Sequence, residues 1–245
     1  MARTHILGIG FDEVTMEEAL ARLGFFVTAG KPHLVITANP EMVMMARGDQ
    51  LLAEIMERAD LVVADGIGVV WASHLVKQPF PQRIPGIELA EGLLQRAAQE
   101  GWKVFLLGGA DGVATKAGEE LQRALPNLKI VGTHHGYFQS GAEEQAIIAN
   151  IKRQEPDILL AALGVPRQEK WLAAHLGTLK VPVAIGVGGS FNVWAGVDKR
   201  APLWMRKIHL EWFFRLVRQP WRIKRVAVLP IFVVSVLYSG IRRRR

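Results

Sequence analysis

Asp157–His175 reads DILLAALGVPRQEKWLAAH, and its two halves decide the fold class. Residues 158–163 are apolar at every position, which suits a strand covered on both faces. The run breaks at Gly164 and Pro166, and a helical pattern follows from Gln168 to His175. A buried strand passing directly into a helix is the repeating unit of parallel α/β proteins.

The same alternation recurs along most of the chain. Strands are expected at His33–Ala38, Leu61–Ala64, Lys103–Leu107, Lys129–Gly132, Asp157–Leu163 and Val181–Val187. Helical patterns lie between them at Glu41–Arg58, Gly86–Glu100, Val113–Leu125, Ala142–Gln154 and Gln168–His175. The expected fold is α/β: a Rossmann-like, mostly parallel sheet with helices on both faces, plus a basic helical C-terminal appendage. The division falls near residue 200, with a core over 1–199 and the appendage over 200–245.

Half of the 245 residues are hydrophobic, which excludes a disordered chain. The absence of cysteine removes disulfides, thiolate metal sites and cysteine nucleophiles, and fits a reducing cytoplasm. The first residues, MARTHILGIGFDEV, carry early acids and lack the apolar core of a signal peptide. Charge is divided unevenly within the net +7. From Arg200 onward 12 Lys and Arg face the single acid Glu211, while the remainder holds 18 basic and 22 acidic residues. A mildly acidic body with a strongly basic tail points to an anionic partner: nucleic acid, anionic lipid or a phosphorylated substrate.

The tail mixes Trp, Phe, Arg and Lys, then becomes apolar from Val226 to Ile241, with Pro230 inside that run. It is short of the roughly 20 residues a membrane span requires. Aromatic and basic residues beside an apolar face read better as an interfacial helix on an anionic leaflet, with a packed terminal helix as the alternative. Arg215, Arg218, Arg222 and Arg225 recur at three- and four-residue spacing. They form either a solvated face or a set of guanidinium groups for a diphosphate.

In open parallel sheets, ligands bind where strand carboxyl ends meet helix starts. Such junctions here are TANPEM (Thr37–Met42), ADGIG (Ala64–Gly68), LLGGADG (Leu106–Gly112), LGVPRQEKW (Leu163–Trp171) and GVGGSFNVWAG (Gly186–Gly196). Thr37, Asn39, Asp65, Arg167 and Gln168 are thereby expected to converge on one edge. Gly108, Gly109 and Gly188 permit close backbone approach to a phosphate or serve as tight turns. Asp111 caps the next helix or binds a ribose hydroxyl. Asn39 precedes Pro40 as an N-cap would, and Asp65 is equally a cap before Gly66 or a catalytic carboxylate. No metal-ligand spacing is present: His134 and His135 are adjacent, so on a strand they would face opposite ways. Ser190 lies outside any nucleophile elbow.

Taken together, ITANPEM, VVADGIGVVW, RIPGIEL, GVPRQEKW, GVGGSFNVWAG and KRAPLWMRKIHLEWFFRL resemble the WecG/TagA/CpsF glycosyltransferases, glycosyltransferase family 26, and most closely their TagA branch. The resemblance implies inverting transfer of N-acetylmannosamine from a UDP-sugar donor, UDP-ManNAc, to the 4-hydroxyl of undecaprenyl-diphosphate-linked GlcNAc. It implies no cofactor and no essential metal. It also implies a cytoplasmic enzyme held peripherally on the anionic inner face of the plasma membrane, with no nucleic acid partner and a possible homo-oligomer. Carried over by position, Asp65 is the general base, with Thr37 and Gln168 beside it in the catalytic set. Asn39, Arg83, Gly108, Gly109, Asp111 and Gly188 bind substrate, and Arg215, Arg222 and Arg225 stabilise the leaving diphosphate. Asn192 departs from the Asp that many relatives carry, so no charged role is assigned there.

Two other classes compete. A nucleotide-sugar oxidoreductase or epimerase would need a dinucleotide fingerprint, and GxGxxG is absent. A non-catalytic membrane or nucleic-acid module would use the tail and leave Asp65 idle. Within the family, UDP-ManNAcA is the alternative donor.

Overall fold

The computed structural model describes residues 3–220, 223 and 227–242. Six parallel strands form the central sheet: β3 (His33–Ala38), β4 (Leu61–Ala64), β5 (Lys103–Gly108), β6 (Lys129–His134), β7 (Ile158–Ala162) and β8 (Val183–Gly186), in the order β4-β3-β8-β7-β5-β6. Each coincides with an expected strand to within two residues at either end. The hairpin β1 (Arg3–Ile6) and β2 (Ile9–Asp12) was not among them. Its two-residue turn, Leu7 and Gly8, has positive φ at both positions, as tight hairpins favour.

Apolar residues on successive strand positions divide between two cores, which is why the strand sequences show no alternation with polar residues. Ile36, Val62, Phe105, Leu159 and Ala184 face one layer, where Met42, Leu52, Ile148 and Leu172 are buried. Val35, Leu61, Leu106, Leu160 and Ile185 face the other, packed with Leu23, Leu93, Leu121 and Phe191.

The long helical pattern after Asn39 is two helices. The first, Pro40–Ala46, and the second, Gln50–Arg58, are separated at residues 47–49. Asp49 starts the second by accepting from the Leu52 amide at 3.1 Å, a cap that Gly48-Asp49 makes available.

The C-terminal segment packs on the core. Its last helix, Val228–Arg242, buries Phe232 and Val236 in the layer that holds Met42, Val43 and Val69. Pro230 sits in the first turn, where a missing amide breaks no helical hydrogen bond. Ile231, Val234, Leu237 and Tyr238 on the opposite side are exposed. Among the described residues no helix is long and apolar enough to cross a membrane. The helix is therefore packed on the core along one side and apolar on its open side.

Candidate active site

The strand order gathers the expected site residues on one rim. Across β4, β3, β8, β7 and β5, the carboxyl ends carry Asp65, Thr37 with Asn39, Gly188, Gln168, and Gly108 with Gly109 in turn. Four strand spacings cover about 19 Å. The chain leaves β5 toward β6 at the sheet edge, whereas it leaves β7 toward β8 in the opposite sense. Such divergence opens a crevice above the two strand ends.

Asp65 follows β4 at the rim, half-buried, with its amide bonded to the Ala38 carbonyl at 2.9 Å. Its side chain does not cap its own helix, Ile67–Leu75, whose N-cap is Gly66. Its Oδ2 instead accepts from the amide of Gly86 at 3.2 Å, the first residue of the helix Gly86–Glu100. An N–H donor and the positive end of a helix thus face the carboxylate. A Cβ on Gly86 would lie 2.7 Å from Thr37 Oγ1 and 3.1 Å from Thr37 Cβ, so the start of this helix packs directly on Thr37 where a side chain would crowd it. Sequence reasoning missed Gly86 as the pivot, although RIPGIEL contained it.

Asn39 behaves as a cap: its Oδ1 accepts from Met42 N at 3.0 Å, and its backbone is extended before Pro40. Gly66 and Gly68 press against Pro40, where a Cβ would come within 3.2 and 2.8 Å of its ring. The ADGIG and TANPEM junctions therefore form one packed unit.

Gln168 is 2% exposed and bridges two junctions. Its Nε2 donates to Glu169 Oε1 at 2.7 Å, and its Oε1 accepts from Gly188 N at 3.2 Å. Arg167 stays at this edge: it donates to the Gly136 and Phe138 carbonyls and lies over the Phe138 ring, and Gly136 is itself bonded to the Gly109 carbonyl at 2.8 Å. The Gly109 amide is engaged by the Ala162 carbonyl at 3.0 Å. Gly108 has φ +137° with a Cβ position 2.4 Å from Ala162 O, so close packing accounts for both glycines. Asp111 is exposed, and the helix after it, Val113–Ala124, has no side-chain cap, so Asp111 does not act as one. His134 ends β6, so strand alternation stops there and the two histidine rings lie 4.4 Å apart. Asn192 Nδ2 donates to Asp198 Oδ2 at 3.2 Å, which brings a carboxylate beside that position.

Arg83 is the charged member of the rim nearest Asp65 along the loop. Ile84 N bonds the Ala64 carbonyl at 2.9 Å, fixing the loop onto the end of β4. The Arg83 guanidinium approaches His209 Nδ1 at 3.2 Å and Glu211 Oε2 at 3.6 Å, both from the C-terminal segment. Arg200 lies in the same ion cluster, paired with Glu88, Glu91 and Glu211, and Arg206 pairs with Glu88. Arg215 belongs to the helix Glu211–Arg218, its side chain outside the described residues, and Arg222 and Arg225 lie outside them altogether. Among the described residues no three His, Cys, Asp or Glu side chains cluster as a metal site.

Glu169 was not anticipated. It is 2% exposed, and its Oε2 is buried with no hydrogen-bond partner among the described residues. Burial pushes its carboxyl up to about 7, against the smaller opposing pull of the Gln168 amide. Between the ordinary value of 4.5 and about 7, the unfolded chain gives up this proton while the folded chain keeps it. Stability from this group is thus complete below 4.5 and falls as pH rises through 7, by on the order of 3 kcal/mol. Glu169→Gln keeps the acceptor for Gln168 and removes the titration. Urea unfolding at pH 5 and pH 8 is expected to find the variant gaining on the wild type at the higher pH. A difference between the two proteins that does not vary with pH would refute this account.

Comparison with known proteins adds the lineage. The sequence pattern of the glycosyl transferase WecG/TagA/CpsF family matches residues 4–245. Proteins of Staphylococcus aureus strains MW2 and NCTC 8325, named N-acetylglucosaminyldiphosphoundecaprenol N-acetyl-beta-D-mannosaminyltransferase, are each 40% identical over 237 residues, covering 96% of this chain and 92% of theirs. The protein of the same name from strain MRSA252 is 39% identical over the same span.

Proposed function

Because the chain belongs to the WecG/TagA/CpsF glycosyltransferase family, we propose that it moves N-acetylmannosamine from UDP-ManNAc to the 4-hydroxyl of GlcNAc on undecaprenyl diphosphate. Transfer proceeds with inversion and without a metal. The observation that carries this reading is the Asp65 carboxylate held by the Gly86 amide on the rim of the strand ends, with Thr37 packed against the same glycine.

In this mechanism the Asp65 carboxylate takes the proton from the acceptor hydroxyl, whose oxygen forms the new bond to the sugar C1. The bond from C1 to the β-phosphate oxygen breaks, and UDP leaves with the electron pair. A base contributes when it lies within hydrogen-bond reach of the proton and is rigidly held, as the Gly86 amide holds Asp65. Thr37 and Asn39 orient a sugar. Arg83 and the tail arginines Arg215, Arg222 and Arg225 stabilise charge developing on the diphosphate, the role that fixed cations serve in such transition states. Gln168 acts from below, by bracing the Gly188 turn.

The acceptor is lipid-linked, so the protein works at the inner membrane surface. Exposed Trp204, Trp212 and Phe213, the exposed face of the last helix and the basic excess of the tail support that position. The test is UDP release by purified protein given a GlcNAc-diphospholipid analogue and either UDP-ManNAc or UDP-ManNAcA. Release dependent on both acceptor and UDP-ManNAc is expected. Folded protein that releases no UDP above background with either donor sinks the transferase reading, and faster turnover of UDP-ManNAcA reassigns the donor.

A further inference from the structure

We infer that Glu211 is a positioning residue: with His209 it holds the Arg83 guanidinium at the rim, and so ties docking of the C-terminal segment to the geometry of the site. The inference rests on the reading of Arg83 as a substrate-binding residue.

Glu211 is the single acid after residue 199, among 12 Lys and Arg, yet it is 8% exposed. Free solvation would suit an acid that merely balanced the surface charge of so basic a segment. A buried carboxylate is retained only with partners. Its two oxygens are divided: Oε2 lies 3.6 Å from Arg83 Nη2 and Oε1 lies 3.7 Å from Arg200 Nε. Both separations are those of ion pairs, and they place the carboxylate between two guanidinium groups.

His209 completes the hold. Its φ of +62° is an uncommon conformation for a residue with a side chain, adopted at the turn just before the helix Glu211–Arg218. From there its Nδ1 reaches Arg83 Nη1 at 3.2 Å. Arg83 itself is anchored on the core side, because Ile84 bonds Ala64 and Gly86 bonds Asp65. The guanidinium is therefore held by the tail at one end of its chain and by the Asp65 strand at the other. Arg215 lies four residues beyond Glu211 in the same helix, so fixing Glu211 also fixes the backbone that carries Arg215. A separate contact, Gln219 Nε2 to Asp198 Oδ1 at 3.0 Å, docks the segment independently of Arg83. Loss of Glu211 thus loosens the arginine without freeing the whole tail.

The experiment is a cycle of Glu211→Gln, Arg83→Ala and the double variant in the full chain, read by amide hydrogen exchange over residues 211–218 and by transfer kinetics. Exchange of the helix is expected to quicken about tenfold in either single variant and no further in the double. Glu211→Gln is expected to lower kcat/KM about tenfold, mainly through kcat, and less than twofold once Arg83 is already Ala. An equal loss in both backgrounds would mean that Glu211 acts elsewhere and would overturn the inference. So would unchanged exchange in Glu211→Gln. A wild type that transfers no sugar would sink the functional reading alone, and the exchange cycle would still decide whether Glu211 holds Arg83.

Discussion

Asp65→Asn is expected to lower kcat for sugar transfer by about a thousandfold, with UDP affinity and melting temperature close to wild type. The proposed mechanism gives this side chain two separable roles. One is a hydrogen bond: Oδ2 accepts the Gly86 amide at 3.2 Å and secures the start of the helix Gly86–Glu100. The amide oxygen of Asn can accept the same proton, so the loop that carries Arg83 stays seated. The other is proton removal, which Asn cannot perform near neutral pH. Asp65→Ala removes both, and the unpaired Gly86 amide should cost about 1–2 kcal/mol of stability besides the lost activity. Measuring kcat, UDP affinity and thermal unfolding for both variants distinguishes the roles. An Asn variant with full turnover would reduce Asp65 to a structural anchor for Gly86, and the assignment of the base would have to move.

The parts of this molecule legible in its sequence are those governed by local rules. Parallel strands buried on both faces leave unbroken apolar runs, and β3, β4, β5, β7 and β8 were readable because ILLAA and its counterparts have almost no wet side, whereas β6, KIVGTH at the sheet edge, is only half-buried. The first hairpin is different: its strands are four residues each and its signal is one two-residue turn at Leu7-Gly8. The single long helix expected after Asn39 failed at Gly48-Asp49, where a stop and a cap were present but outweighed by the continuing apolar pattern. In the site, strand-end residues were identifiable because topology alone sends them to one rim. What they touch was not. Gly86 is adjacent to neither Thr37 nor Asp65 in sequence, and its part in the site depends on its amide reaching Asp65 and its missing Cβ leaving room for Thr37. Glu169 looked like one more charge in a helix's first turn, and its burial follows from the packing of that turn against Gly186. Glu211 was visible as a lone acid, but its partners Arg83 and Arg200 are brought to it only by the docked tail.

Replacing Ile231, Val234, Leu237 and Tyr238 together with Ser or Gln is expected to weaken binding to anionic liposomes severely while leaving thermal stability near wild type. These four occupy the open side of the helix Val228–Arg242, opposite Phe232 and Val236 in the core. Truncation at residue 199 is a poorer test of the same idea. It would strip Phe232 and Val236 from the layer holding Met42 and Val69, at about 1.5–3 kcal/mol for each buried side chain, so lost activity and lost fold would be confounded. The four-residue variant leaves that packing alone. If each exposed apolar side chain contributes on the order of 1 kcal/mol to membrane partition, losing four weakens binding roughly a thousandfold. Transfer to a GlcNAc-diphospholipid in vesicles should fall with it, whereas transfer to a short, soluble acceptor analogue should continue, because Asp65, Thr37 and Arg83 are untouched. Basic residues of the tail still attract an anionic surface, but each contributes about 1 kcal/mol and is screened by salt. Any binding that persists in the variant should therefore vanish as ionic strength rises. Liposome sedimentation at low and high salt reads both contributions, and a variant that binds vesicles as the wild type does at high salt would show that this helix face is not what meets the membrane.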